Sequence, residues 1–199
     1  MCPNTRDIAV IDPGGELEKI QAAIDELSGI PKKILLTHGH LDHVGGTLPL
    51  SQALNLPVIG PHREDEFWIQ QISTQAKMLG LPAVESFTPD QWLEEGDEIE
   101  VGDLTFEVIH CPGHTPGHVV LFCRQYQWAQ VGDVIFQGSI GRTDFPRGNH
   151  EQLLRSIREK LFPLGDDVRF VPGHGPMSTF GQERKSNPFV GDQALGLSQ

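Results

Sequence analysis

Four residues of metal-binding type, His38, His40, Asp42 and His43, fall within six positions in the stretch Thr37-His38-Gly39-His40-Leu41-Asp42-His43-Val44-Gly45-Gly46. The stretch follows the apolar run Ile34-Leu35-Leu36, which reads as a short buried strand carrying the histidines to a sheet edge. On an extended backbone, residues two apart point the same way, so His38 and His40 are placed to share one ion. Asp42 and His43 follow where the chain turns and can face a second ion close to the first. Imidazole and carboxylate suit zinc, iron or manganese rather than a thiolate-seeking ion. A lone histidine on an apolar face is ordinarily a packing residue, whereas four such groups at the end of one apolar strand read as a metal site.

Three later loops each offer one more such residue where an apolar strand ends. His114 lies in His110-Cys111-Pro112-Gly113-His114-Thr115-Pro116-Gly117-His118, where prolines and glycines impose a sharp turn; Asp133 follows Val131-Gly132; His174 sits in Pro172-Gly173-His174-Gly175. Singly, Asp133 could cap a turn and His174 could be an exposed loop residue. Of the remaining histidines, His118 reads as a core residue or a support, His62 and His150 as helix-start surface residues, and His110 as structural. Cys111 has no evident activating partner in its flanks and reads as structural rather than nucleophilic.

The elements that must position these residues follow from periodicity. Ile8 to Ile11 is a strand ending in the turn Asp12-Pro13-Gly14-Gly15, and Leu17, Ile20, Ile24 and Leu27 mark an amphipathic helix before the histidine-bearing strand. Strand, helix, strand predicts a parallel pair with a helical crossover. A helix after Gly46 through about Leu54, a strand around Val58-Ile59 and a helical region over about 63–80 with Phe67, Trp68 and Ile72 buried come next. Ile99 and Val101, then Leu104, Phe106 and Val108, then Val119 to Phe122, then Trp128 to Val131 predict four strands, largely antiparallel. Asn149 with Gln152 starts a helix whose face is Leu153, Leu154, Ile157 and Leu161; a strand over Val168 to Val171 and a helix from about Thr179 to Ser186 close the pattern.

With 199 residues and no Pro- or Ser-rich linker, one domain over 1-199 is expected. The net charge of −12 argues against nucleic acid or an anionic membrane surface as partner. No apolar run reaches membrane-spanning length, and Met1-Cys2-Pro3-Asn4 has no basic, apolar leader. Three cysteines without a Cys-x-x-Cys pair argue against a disulfide framework, so a cytoplasmic protein is expected; a monomer or weak homo-oligomer is expected as well.

The motif His-x-His-x-Asp-His after a strand, followed by His114, Asp133 and His174, resembles the metallo-β-lactamase superfamily. The resemblance implies an α/β fold of four αββα layers, two mixed sheets packed face to face with helices outside. It also implies two divalent metal ions, zinc first, with iron or manganese as alternatives. His38, His40 and His114 match the ligands of the first metal, Asp42, His43 and His174 those of the second, and Asp133 the carboxylate that bridges both. Ions about 3.5–4 Å apart need an anion between them, which a carboxylate and a shared hydroxide supply. Asp42 and Asp133 are the carboxylates assigned to catalysis.

The run from Asp12-Pro13-Gly14 through Gly141-Arg142-Thr143-Asp144-Phe145-Pro146-Arg147-Gly148 to Glu183-Arg184-x-x-Asn187-Pro188-Phe189 is similar to the glyoxalase II branch, in particular to small bacterial hydroxyacylglutathione hydrolases. Larger members append a helical substrate domain, which is not expected here. The implied reaction is hydrolysis of a small-molecule glutathione thioester, S-lactoylglutathione to glutathione and D-lactate, with a metal-bridging hydroxide as nucleophile. A thiolate leaving group, pKa about 8.5, needs no strong general acid. Arg142 stands where related hydrolases place a basic residue against glutathione and is read as a substrate contact. Arg147, Arg184 and Lys185 read as a solvated face. Two other activities resemble the same residues: a persulfide dioxygenase with a single iron on His38, His114 and Asp133, and a lactonase or β-lactam hydrolase on both metals.

Overall fold

The computed structural model describes residues 1–194 and 196 and divides into two compact units. The first comprises Met1–Leu93 with Ile99–Thr105, the second 94–98 with the chain from 106 onward. Among the described residues no helix is long and apolar enough to cross a membrane.

In the first unit, β1 (Asp7–Ile11), α1 (Leu17–Glu26) and β2 (Ile30–Leu35) form the expected crossover. After β2 come the single turn α2 (Leu41–Val44), α3 (Thr47–Leu54), β3 (Val58–Ile59), α4 (Glu66–Gln70) and α5 (Ile72–Met78). The strands lie in the order β1-β2-β3, parallel throughout. Ile11 is level with Leu35 and Leu35 with Ile59, so all three strands release their loops at one edge of the sheet. Ligand groups gather at the carboxyl ends of parallel strands because several loops converge there. Ile34, Leu36, Leu50, Val58 and Ile72 are buried together beneath that edge, with Leu17 and Ile20 of α1 packed against them. Leu27 departs from its expected place: α1 ends one residue earlier and Leu27 is 48% exposed. The buried residues of α4 and α5 are Trp68, Ile69, Ile72 and Ala76. Phe67 is one position out of that phase and only half-buried.

The chain enters the second unit through β4 (Glu98–Val101) and β5 (Leu104–His110), whose residues fall partly in each unit. Then follow β6 (Val119–Cys123), β7 (Trp128–Gly132), β8 (Ile135–Phe136), β9 (Ser139–Ile140), α6 (His150–Arg155), β10 (Arg169–Pro172), β11 (Ser178–Thr179) and α7 (Phe180–Ser186). The sheet order runs β11-β10-β7-β6-β5. Pairings β5-β6 and β6-β7 are antiparallel, and β10 lies parallel to β7, so the sheet is mixed. Asn149 caps α6 by accepting from the Gln152 amide at 2.9 Å, as expected. The helix then widens into a π-type turn over Ser156–Leu161, which keeps Leu153, Ile157 and Leu161 in the core. Phe170 and Phe180 stack there with centroids 5.4 Å apart. Each such fully buried large apolar side chain contributes about 1.5–3 kcal/mol.

Candidate metal centre

In the first unit the histidine loop is organised by a carboxylate at the end of the neighbouring strand. The Asp12 amide donates to the Leu35 carbonyl at 3.0 Å, so Asp12 leaves β1 beside Thr37. Asp12 Oδ1 accepts from Thr37 N–H at 2.7 Å, and Oδ2 accepts from the Thr37 hydroxyl at 2.6 Å. That same Oδ2 lies 3.0 Å from His43 Nδ1. Thr37 Oγ1, its proton given to Asp12, accepts from His38 Nδ1–H at 3.1 Å. One carboxylate thus holds the protons of two imidazoles on Nδ1 and leaves each Nε2 to bind a metal.

The remaining groups of this unit sit around that pair. His38 Nε2 is 3.1 Å from His40 Nδ1, so the two side chains converge as the i, i+2 spacing requires. At His40 the extended backbone (φ −72°, ψ 148°) passes into α2, where the amides of His43 and Val44 both donate to the His40 carbonyl at 3.0 Å. The turn brings buried His43 back beside His38, ring centroids 4.0 Å apart, with exposed Asp42 Oδ2 3.6 Å from His43 Nε2. Gly39 donates its N–H to Oδ2 of buried Asp65 at 2.8 Å, and a Cβ at Gly39 would stand 2.8 Å from Trp68 Cβ. The Trp68 ring meets His40 edge-on at 4.5 Å.

The second unit places His114, Asp133 and His174 together. His114 lies in the turn between β5 and β6, pinned where the Cys111 amide donates to the His118 carbonyl at 2.8 Å. Asp133 follows β7 and His174 follows β10, and these strands end level: Gly173 N–H donates to the Gly132 carbonyl at 2.8 Å. His114 Nδ1–H donates to the Arg142 carbonyl at 2.7 Å, which turns Nε2 toward Asp133. Asp133 Oδ2 lies 3.6 Å from His114 Nε2 and 3.6 Å from His174 Nε2. Asp133 is itself held by His118, whose Nε2 accepts the Asp133 N–H at 3.0 Å. Gly141 permits this crowding, since a Cβ there would meet the Asp133 carbonyl oxygen at 1.9 Å and His114 Nδ1 at 3.1 Å.

Arg142 is engaged at both its main chain and its side chain. Its carbonyl orients His114, while its guanidinium makes a bidentate pair with Asp144, Nε to Oδ1 and Nη2 to Oδ2 at 2.7 Å each. The guanidinium holds the Asp144 carboxyl down at about 2 and lies 4.2 Å from the Phe145 ring centroid. Of the other histidines, His62 is half-buried rather than on the surface. His110 Nε2–H donates to the Pro116 carbonyl, His62 caps a short helical turn, and His150 starts α6 exposed. Cys111 is fully buried, and burial pushes its thiol up, in keeping with a structural role. Asp12 and Asp65 were not legible as site residues; what marks them is a buried carboxylate accepting main-chain or imidazole protons from the histidine loop.

The chemistry of these groups fits divalent cations. Asp12, His38 and His43 offer ligand atoms within 4.8 Å of one another, but Asp12 Oδ2 already accepts two protons and therefore acts behind the imidazoles. One carboxylate oxygen equidistant from two imidazole nitrogens suits a group shared between ions. The metallo-beta-lactamase superfamily model matches residues 4–174, a span that carries all seven of these histidines and aspartates. Hydroxyacylglutathione hydrolase GloC of Haemophilus influenzae is 46% identical over 190 residues, 95% of this chain and 90% of that protein. Among solved structures, the B3 metallo-beta-lactamase BLEG-1 matches with TM-score 0.87 at 34% identity, covering 96% of this chain and 91% of that one. TTHA1623, solved in a di-iron-bound form, matches with TM-score 0.82 at 41% identity, covering 90% and 88%. At this identity and coverage the likeness reaches kinship, and the chain is an enzyme belonging to the metallo-beta-lactamase superfamily.

Proposed function

We propose that this enzyme is a binuclear metal-dependent hydrolase of glutathione thioesters, turning S-lactoylglutathione into glutathione and D-lactate. His38, His40 and His114 would hold one ion, Asp42, His43 and His174 the other, and Asp133 would be shared between them. Zinc is the ion favoured by this set, and the di-iron form of TTHA1623 makes iron the alternative to test. A pair of such ions supplies a water of lowered pKa and a Lewis acid for the thioester carbonyl. The observation that carries the reading is the position of Asp133 Oδ2, 3.6 Å from the Nε2 of both His114 and His174.

The residues of the chain do the positioning. Asp12 and the Arg142 carbonyl fix the tautomers of His43 and His114, and Thr37 that of His38. Asp133 and Asp42 are the carboxylates assigned to the reacting centre, and no general acid is required because the thiolate leaves unaided. Arg142 is assigned to the carrier half of the substrate. The name borne by the Haemophilus relative supports glutathione as that carrier.

The test is the rate of S-lactoylglutathione hydrolysis by protein reconstituted with zinc, beside a chelated control. Metal-dependent turnover is expected. A folded, metal-loaded protein without turnover would overturn the reading, and oxygen uptake with glutathione persulfide on the iron form would then identify the dioxygenase chemistry.

A further inference from the structure

Resting on the thioester reading, we infer that Asp144 sets the preference for the thiol carrier, by occupying the Arg142 guanidinium as an internal carboxylate that a substrate carboxylate must displace. The pair is bidentate, with both bonds at 2.7 Å. Its partners are nevertheless 62% and 66% exposed, so exchange with an incoming carboxylate takes place in water. The pair also sits beside the reacting centre. The Arg142 carbonyl takes the His114 proton, the guanidinium lies on Phe145, and the Phe145 ring meets His114 edge-on at 6.1 Å.

The consequence concerns selectivity. Glutathione carries two carboxylates, and a cation facing them would favour glutathione thioesters over those of a neutral thiol. With Asp144 in place, an Arg142–carboxylate contact is exchanged for another of the same kind, and the gain is only the difference between them. A neutral carrier leaves the pair intact and is not penalised. The class of substrate accepted therefore extends to thioesters of uncharged thiols, with glutathione favoured weakly.

The experiment uses the metal-reconstituted enzyme and two esters, S-lactoylglutathione and S-lactoyl-N-acetylcysteamine, which lacks carboxylates. The ratio of their kcat/KM values is expected to rise about two- to fivefold in Asp144→Asn, the scale of one exposed ion pair. In an Arg142→Ala background the same Asp144→Asn change is expected to leave the ratio where it was. An unchanged or lowered ratio, or a rise that persists without Arg142, would overturn the inference. Calorimetric binding of S-methylglutathione to the same proteins gives a readout independent of turnover, with Asp144→Asn tightening binding by a similar factor. If neither ester were hydrolysed, the thioester reading would fall, and absence of that tightening would separately sink the role given to Asp144.

Discussion

Removing the Asp12 carboxylate should weaken metal binding as well as folding. Its two oxygens accept three protons, from Thr37 N–H, the Thr37 hydroxyl and His43 Nδ1, at 2.7, 2.6 and 3.0 Å. Asp12→Ala leaves all three donors without that acceptor in a nearly buried place, which should cost about 3 kcal/mol of stability. Asp12→Asn is subtler. If its carbonyl oxygen replaces Oδ1, the amide group faces two donors; if it replaces Oδ2, the amide faces Thr37 N–H. The second orientation loses one contact and the first two, so the second is favoured and the cost is about 1–2 kcal/mol. For the metal a separate loss is expected, because His43 no longer has its proton held on Nδ1 and His38 loses the oriented hydroxyl. Groups that orient metal-binding imidazoles are worth about 10–100-fold in affinity. Competition with a chromophoric chelator measures that affinity, and urea denaturation of the metal-free proteins measures folding. Metal affinity of Asp12→Ala within twofold of the parent, in a protein destabilised as described, would refute the role given to this carboxylate.

Three further outcomes are expected. Gly39→Ala places a methyl 2.8 Å from Trp68 Cβ and 3.1 Å from the Asp65 carbonyl, so the loop must shift; metal content on purification should fall sharply, with a stability loss of about 1–3 kcal/mol by urea denaturation. Glu183 is 1% exposed and accepts from Ser178 Oγ at 2.6 Å, Gly138 N–H at 2.8 Å and Asn187 Nδ2 at 2.9 Å, so Glu183→Ala should cost about 2–4 kcal/mol by urea denaturation. Burial raises the Cys111 thiol, so the unfolded chain releases that proton at lower pH than the folded one. The folded state then loses stability as pH rises above the ordinary thiol value of about 8.5, by up to about 1.4 kcal/mol per unit. Urea midpoints at pH 8 and 10 should show this slope in the parent and not in Cys111→Ala.

Many residues of the candidate centre were singled out before the fold, and the reasons are local. An apolar strand followed by His38 and His40 two positions apart is enough to suggest that the two side chains converge, although both lie in the loop after β2 rather than on the strand. His114, Asp133 and His174 were legible because each terminates an apolar run. Asp12 was not, because Asp12-Pro13-Gly14-Gly15 is sufficient as a turn and its partners lie 25 and 31 positions away. Only the parallel register of Ile11 with Leu35 brings them together. Asp65 was obscured for a related reason, since an acid beside a helix start ordinarily faces water, whereas this one is buried on Gly39. The strands β8, β9 and β11 have two residues each, too few for any period to show. The motif Glu183-Arg184-x-x-Asn187 acquired its physical meaning from the structure. Glu183 and Asn187 are one helical turn apart and tie α7 to the β8-β9 turn, through Gly138 N–H and the Ser139 carbonyl.

Turnover measured against metal loading tests the binuclear thioesterase most directly. Metal-free protein is titrated with zinc, bound metal per chain is determined on each sample, and S-lactoylglutathione hydrolysis is assayed on the same samples. The rate is expected to climb through the second equivalent and level off at about two ions per chain, with Asp133→Asn inactive at every loading. A plateau at one ion, or full activity in Asp133→Asn, would contradict a shared carboxylate between two metals.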